Sequence, residues 1–490
     1  MNKILFTHSY FLRFDPKQWA TGQPYPPLAT IGAAALMREN DYQVSLFDTM
    51  FVDDPDEVRG RLTAQNPDYF VLYDDGFNYL TKMCLTNMRD AAFRMIRLAR
   101  ERGCIVIASS SDSTDHFREY LSQGCHFVLL GEGEQTLLEL LNAIRRGEPD
   151  LSQIPGLAYV REDVPVNTPA RRVMNDLDAM PLPAWDLVDM DMYRKVWLKH
   201  NGIFSLNIGT TRGCPFKCNW CAKPMYGNRY HARSPLHVVR ELKWLKERYD
   251  FDHIWFCDDI FGLKPGWVNE FADLIEKEGL HFRFKIQSRA DLLLQENYVK
   301  ALARAGCDNT WMGAESGSQK ILDAMDKGIR VEQIYGATRL LREHGIRPSF
   351  FIQFGYPGET KEDIKSTIRM INELLPDTLG ISVSYPLPGT VFHERVKAEL
   401  KDKANWTDSD ELQIMFRNTY PPAFYKQLHR YVHKTYRRHL AMEQIKRLFV
   451  RPMAITGAGI KRAVSIAWYI PAAFFAKRKL NRLENSGHEI

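Results

Sequence analysis

The stretch Cys214-Pro215-Phe216-Lys217-Cys218-Asn219-Trp220-Cys221 decides how this chain is read. Its three cysteines, four and three residues apart, follow a strand-like apolar run from Ile203 to Ile208 and a turn holding Gly209 and Gly213. Three thiolates packed this closely can hold three irons of a [4Fe–4S] cluster and leave the fourth iron open. The competing reading is a structural zinc site completed by His231. Zinc ribbons carry two paired CxxC knuckles, whereas this stretch has one knuckle and an extra cysteine. Idle surface thiols are a third reading, and clustered cysteines in a reducing compartment are rarely idle.

Outward from the cysteines, residues 201–400 repeat one strand–helix unit. Ser234 reads as a helix cap with Pro235 in the first turn, and the helix runs from Val238 to Tyr249. Apolar runs from His253 to Phe256, Phe282 to Gln287, Asn309 to Met312, Pro348 to Phe354 and Gly380 to Ser384 read as strands. Helical patterns lie between them, from Trp267 to Glu278, Tyr298 to Ala305, Val331 to His344 and Ile364 to Leu375. With the strand before the cysteines this makes six units, the count of a partial (β/α)6 TIM barrel. Such barrels place chemistry on the loops at strand carboxyl ends. Polar residues gather there: Asp258 and Asp259, Arg289, the run Gly313-Ala314-Glu315-Ser316-Gly317-Ser318, the run Gly355-Tyr356-Pro357-Gly358-Glu359, and Tyr385.

The CxxxCxxC spacing, Trp220 immediately before the last cysteine and the six units together resemble the radical SAM superfamily. The resemblance implies a [4Fe–4S] cluster on Cys214, Cys218 and Cys221 that binds and reductively cleaves S-adenosylmethionine to a 5′-deoxyadenosyl radical. It implies that Trp220, Arg289, Gly313, Glu315, Ser316 and Gly355 hold S-adenosylmethionine. Arg289 would pair with its carboxylate through a planar fork, and Glu315 would accept from ribose hydroxyls. Asp258, Asp259 and Tyr356 are the catalytic candidates, with Tyr385 a further proton or radical partner. For Asp258 and Asp259 the alternative is a solvated turn that caps the next helix.

Residues 1–150 alternate strands and helices with short loops, which reads as a Rossmann-like, doubly wound parallel sheet. Ligands bind such sheets at the strand carboxyl ends. No G-x-G-x-x-G follows the first strand, so a nicotinamide dinucleotide is not expected. Tyr25-Pro26-Pro27-Leu28, Asp48 and Gly131-Glu132-Gly133-Glu134 resemble the cobalamin-binding domain fused to one branch of radical SAM enzymes. That branch includes the anaerobic magnesium-protoporphyrin IX monomethyl ester cyclase. The resemblance implies cobalamin at Ser109, Ser110, Gly131 and Glu132. The sequence departs from the pattern twice: D-x-H-x-x-G is absent, and Ser109-Ser110-Ser111 stands where a Gly-Gly pair is usual. Serine Cβ atoms occupy space that glycine leaves to a corrin ring. A domain that binds no corrin, or part of the substrate instead, remains the alternative. Cys84, Cys104 and Cys125 leave open a methylthiotransferase-like second cluster, although Cys104 reads as core.

Residues 151–200 are a proline-punctuated connector, and Leu182-Pro183-Ala184-Trp185-Asp186 resembles the lead-in to the same family's barrel. Residues 401–490 are helical and basic, and Phe416-Arg417-Asn418-Thr419-Tyr420 resembles the entry to the family's C-terminal extension. The stretch from Ala463 to Ala476 suits a membrane interface between Lys461-Arg462 and Lys477-Arg478-Lys479, or a terminal helix packed on its own protein and broken near Pro471.

The remaining bounds are modest. The 490 residues suffice for two or three domains, and 45% hydrophobic with 26% charged residues is ordinary for a globular chain. Eight cysteines, mostly far apart, make no disulfide scaffold. A net charge of +5 gives no reason to expect nucleic acid. Without a signal-peptide pattern, the expected place is the cytoplasm, with membrane contact through the C-terminal segment. The reaction implied is cobalamin-dependent methyl transfer to an unactivated carbon. The alternatives are a radical cyclisation, oxidation or rearrangement without methyl transfer, and a non-catalytic metal-binding protein. The implied partners are a small-molecule or lipid-like substrate and an electron donor such as flavodoxin or ferredoxin.

Overall fold

The computed structural model describes residues 2–74, 76–77, 83, 85–147, 150–223, 225–400, 405–450 and 457–485. Cys84 lies outside the described residues. Five short apolar runs form the first sheet: β1 (Lys3–Thr7), β2 (Gln43–Phe47), β3 (Tyr69–Tyr73), β4 (Ile105–Ser109) and β5 (Phe127–Leu129). They pair in parallel in the order β2-β1-β3-β4-β5. This doubly wound order has its switch point between β1 and β3. There Asp74 accepts from the Ser9 amide at 2.6 Å and the Ser9 hydroxyl at 2.8 Å.

β6 (Leu157–Arg161) and β7 (Val164–Asn167) extend this sheet antiparallel from β5. The connector expected from residue 151 therefore begins as part of the first sheet. It ends in a helix, Met190–Asn201, capped by Asp189, which the proline-rich approach concealed in the sequence. Three aromatic anchors fix it to both domains. Trp185 Nε1 donates to Glu241 at 3.0 Å, Trp197 Nε1 to Pro24 O at 2.6 Å, and the Tyr193 hydroxyl to Asp48 at 2.7 Å.

The second sheet holds β8 (Ser205–Ile208), β11 (His253–Phe256), β12 (Arg283–Ser288), β13 (Cys307–Glu315), β14 (Arg347–Phe354) and β15 (Thr378–Val383). A short antiparallel pair, β9 (Thr211–Arg212) with β10 (His231–Ala232), branches from it. The six strands pair in parallel in chain order, leaving β8 and β15 as open edges of a half-barrel. Two of the connecting helices start on a cue legible in the chain. Ser234 accepts from the His237 amide, and Thr360 and Asp363 form a reciprocal cap.

The C-terminal segment forms the helices Pro422–Val450, Gly457–Val464 and Ile466–Asn485. The break expected near Pro471 does not occur. The helix runs through exposed Pro471, which costs it one backbone hydrogen bond near its start, and tertiary packing through Ala473, Ala476 and Leu480 holds it together. Among the described residues, no helix is long and apolar enough to cross a membrane.

Candidate active site

The cysteine loop hangs from β8 and is closed at its base by the β9–β10 pair. Gly213 starts the loop at φ +81°, and a Cβ there would sit 2.3 Å from Arg229 O. Only glycine meets both conditions. Asp258, at the end of β11, grips the base from below. It accepts from the amides of Thr210 at 2.7 Å and Thr211 at 2.8 Å, and from the Thr210 hydroxyl at 2.5 Å. Burial pushes this carboxyl up to about 6, against the opposing hydrogen bonds from Thr210 and Thr211. The expectation that Asp258 faces the mouth therefore gives way to a scaffold role, because its acceptors are already spent on the loop. Asp259 beside it is exposed, and its charge raises the Cys214 thiol.

Asn219, which the sequence reading passed over, pins the middle of the loop. Its amide donates to Met325 O at 3.1 Å, and Nδ2 donates to Ala324 O at 2.8 Å and Asp326 at 2.7 Å. Its carbonyl accepts from the Phe392 amide at 2.9 Å. Its Oδ1 accepts from the Tyr356 hydroxyl at 2.8 Å. Tyr356 is thus a buried strut under the cysteines, and the ring seen as a radical or proton candidate packs on Phe392. Tyr385 is likewise buried, donating to Met83 O at 3.0 Å.

Cys214 is buried, and Cys218 and Cys221 are half-buried. Burial raises the Cys214 thiol while Lys223 opposes, and Cys218 lies close enough to add to the rise. Among the described residues no three His, Cys, Asp or Glu side chains close on one point as ligands of a single ion would. The donor set suits an iron–sulfur cluster: three thiols on one loop, with no other cysteine within it.

Opposite the loop, β13 ends in a register shift between Gly313 and Glu315, with Glu315 at φ +57°. Lys327 Nζ donates to Glu315 at 2.8 Å, and both are buried. Burial works against the ammonium, but Glu315 and Cys218 outweigh it and raise its pKa. The amine also lies 5.8 Å from the Trp220 ring. A Cβ on Gly313 would come within 2.6 Å of this amine. Lys327 was not foreseen, since a lysine twelve residues past the strand has no motif to mark it. Trp220 Nε1 is buried without a partner among the described residues, a donor left for a ligand. Arg289 stacks on Phe216 at 3.7 Å and turns its fork on Asp291 at 3.0 and 3.1 Å, so the structure already pairs the group expected to meet a carboxylate.

Ser316 and Gly355 sit one layer behind. The Ser316 hydroxyl meets Thr367 at 3.0 Å and accepts from the Ser318 amide, tying β13 to the helix Lys361–Leu374. Gly355 donates to Glu359 at 2.7 Å and accepts from Asn418 at 2.6 Å, so the C-terminal segment holds this loop. Burial pushes Glu359 up to about 8.

The rim of the first sheet faces this mouth. Arg212, two residues before Cys214, forms buried ion pairs with Glu132 and, at 2.8 Å, with Glu134. Glu132 also accepts from the Met174 amide at 2.6 Å. The Gly131-Glu132 turn, with Gly131 at φ +74°, thus carries the clasp between the domains. Ser110 spends its hydroxyl as a helix cap, accepting from Ser113 at 2.7 Å. Ser109 Oγ and Ser111 Oγ are buried without a partner among the described residues. Asp48 binds His8 at 2.8 Å. Burial would raise it, but His8, Tyr193 and the Met50 amide hold it below the usual carboxylate range.

Residues 208–371, the half-barrel from β8 to the helix after β14, match the model of the radical SAM superfamily. An uncharacterized methyltransferase of Pyrococcus horikoshii is 33% identical over 54% of this chain and 57% of its own length. An anaerobic magnesium-protoporphyrin IX monomethyl ester cyclase of Rubrivivax gelatinosus is 25% identical over 80% of this chain and 69% of its own. The chain therefore spans little more than half of the first relative. Among solved structures, the radical S-adenosylmethionine methyltransferase TsrM of Kitasatospora setae, determined with cobalamin and a [4Fe-4S] cluster, aligns with a TM-score of 0.67. That alignment has 20% identity and covers 81% of this chain and 75% of that one. The α/β fold class with its parallel half-barrel, and the resemblance read from the cysteine motif, are borne out.

Proposed function

Because this chain carries a radical SAM domain, we propose that it is a cobalamin-dependent C-methyltransferase. When bound, a [4Fe–4S] cluster would pass on the electron that splits one S-adenosylmethionine, and cobalamin would carry to the substrate a methyl group taken from a second. The observation that carries the reading is the Arg212 clasp, which sets the rim of the first sheet against the root of the cysteine loop. Two cofactors on facing rims are what radical formation and methyl delivery to one carbon require.

In this reading Cys214, Cys218 and Cys221 are the cluster ligands, and Asn219, Tyr356 and Asp258 keep them in place. Trp220, Glu315 and Lys327 line the S-adenosylmethionine side, with Glu315 and Lys327 as a charged pair and Trp220 Nε1 as a donor. Gly313 keeps the approach open, and Gly355 with Ser316 fixes the floor. The hydroxyls of Ser109 and Ser111 suit a polar ligand edge at the first sheet's rim, whereas Ser110 and Glu132 are committed to the fold. The substrate is a small molecule, and a flavodoxin- or ferredoxin-like protein supplies the electron.

A second reading, radical cyclisation or oxidation without methyl transfer, draws support from the similarity to the Rubrivivax cyclase. Anaerobic turnover with S-adenosylmethionine labelled in its methyl group separates the two, using extracts of a strain deleted for the gene as substrate source. Label in a product together with 5′-deoxyadenosine is expected. 5′-Deoxyadenosine without label in any product removes methyl transfer and leaves the second reading.

A further inference from the structure

The last helix is built inside out for a surface that meets only water. Helix Ile466–Asn485 packs inward through Ala473, Ala476 and Leu480. Gln427 Nε2 donates to Ala476 O at 2.9 Å, and Lys361 pairs with Glu484 at 2.6 Å, so the helix is held firmly. On the other side Trp468 is 69% exposed, Phe474 61% and Phe475 64%, with Val464 and Ile470 exposed beside them. A water-facing helix turns its large apolar side chains inward. Here alanines face in and aromatics face out. At 3.6 residues per turn Trp468, Ile470, Phe474 and Phe475 share the outer half of the first three turns.

The charge pattern says what covers them. Lys461 and Arg462 precede the apolar turns, and Lys477, Arg478, Lys479 and Arg482 follow, all exposed. The one carboxylate of this helix, Glu484, is turned to Lys361. We propose that this face lies in the plane of an anionic lipid bilayer. The aromatics enter the boundary between headgroups and acyl chains, and the flanking cations meet lipid phosphates. A second protein copy would have to bring its own acidic rim, and this chain's equivalent surface is cationic.

The face stands clear of the candidate site. Asn418 holds the mouth of the barrel at Gly355, and Gln427 lies nine residues on, level with Ala476. Trp468 is a further eight residues back along its own helix, about 12 Å from Ala476. Docking therefore anchors the enzyme without using a residue of the cluster loop.

Flotation of the full chain with vesicles of phosphatidylcholine and phosphatidylglycerol in equal parts, beside vesicles of phosphatidylcholine alone, tests this. The protein is expected to float with the mixed vesicles. The variant Trp468→Ser/Phe474→Ser/Phe475→Ser should lower its partition coefficient roughly a hundredfold, as expected when three aromatic side chains lose partial burial. Lys477→Glu/Arg478→Glu/Lys479→Glu should abolish the preference for the mixed vesicles. Urea midpoints of both variants should match the parent, since none of these side chains packs inside. A parent that stays in the lipid-free fraction, or floats no better than the serine variant, overturns the proposal. A lipid-free dimer that the serine variant dissociates also overturns it and assigns the face to a second copy.

Discussion

At the scale of single residues, burial decides which polar groups can act. Asp258 reads in the sequence as a polar residue at a strand end, as a catalytic acid would. Only the fold reveals that both its oxygens are engaged by Thr210 and Thr211. Its pKa is raised from 3.8 to about 6. A carboxyl raised on folding contributes stability that is present below its unfolded value and lost as pH climbs through its folded value. Relative to Asp258→Asn, the parent should therefore lose about 3 kcal/mol between about pH 4 and pH 6. Urea melts of both proteins across that range check this, and parallel curves would contradict it. Lys327 is the converse case, a lone lysine in the chain that becomes half of a buried pair. Lys327→Met should cost about 3–5 kcal/mol by stranding Glu315. Lys327→Met/Glu315→Leu should recover much of that loss in urea melts, because the pair is removed whole.

At the scale of elements, the sequence carried the strand–helix rhythm well because each apolar run ends in a cap or a turn residue. The cysteine loop was legible as a ligand set but not as a built structure. What shapes it comes from β11, from the segment after β13 and from the start of the helix Val391–Val396, far apart in the chain. Two substitutions probe this. Gly213→Ala introduces a Cβ at φ +81° against Arg229 O, and Asn219→Ala removes the central pin. Each should lower iron incorporated on anaerobic reconstitution at least severalfold, while far-UV circular dichroism stays at the parent's level. Full iron content in both would mean that the loop needs neither.

At the scale of the molecule, the domain order was readable, but the join was not. Glu132 and Glu134 looked like a ligand turn, and Arg212 drew no notice two residues ahead of a cysteine. The fold brings them into one buried triad. Breaking it leaves two carboxylates without a countercharge, so Arg212→Leu should cost about 3–5 kcal/mol. Arg212→Lys should not restore it, because one ammonium cannot serve two carboxylates as a planar fork does. Calorimetry should then show the two domains melting apart where the parent melts once. The central claim, that the thiol trio holds a cluster and thereby cleaves S-adenosylmethionine, is tested most directly by one paired measurement. Anaerobically reconstituted, dithionite-reduced parent and Cys214→Ala/Cys218→Ala/Cys221→Ala are compared for low-temperature electron paramagnetic resonance and for 5′-deoxyadenosine formed from S-adenosylmethionine. The account predicts a reduced-cluster signal and 5′-deoxyadenosine from the parent alone. Equal signal and product from both proteins, or a parent that takes up only zinc and forms no 5′-deoxyadenosine, would contradict it.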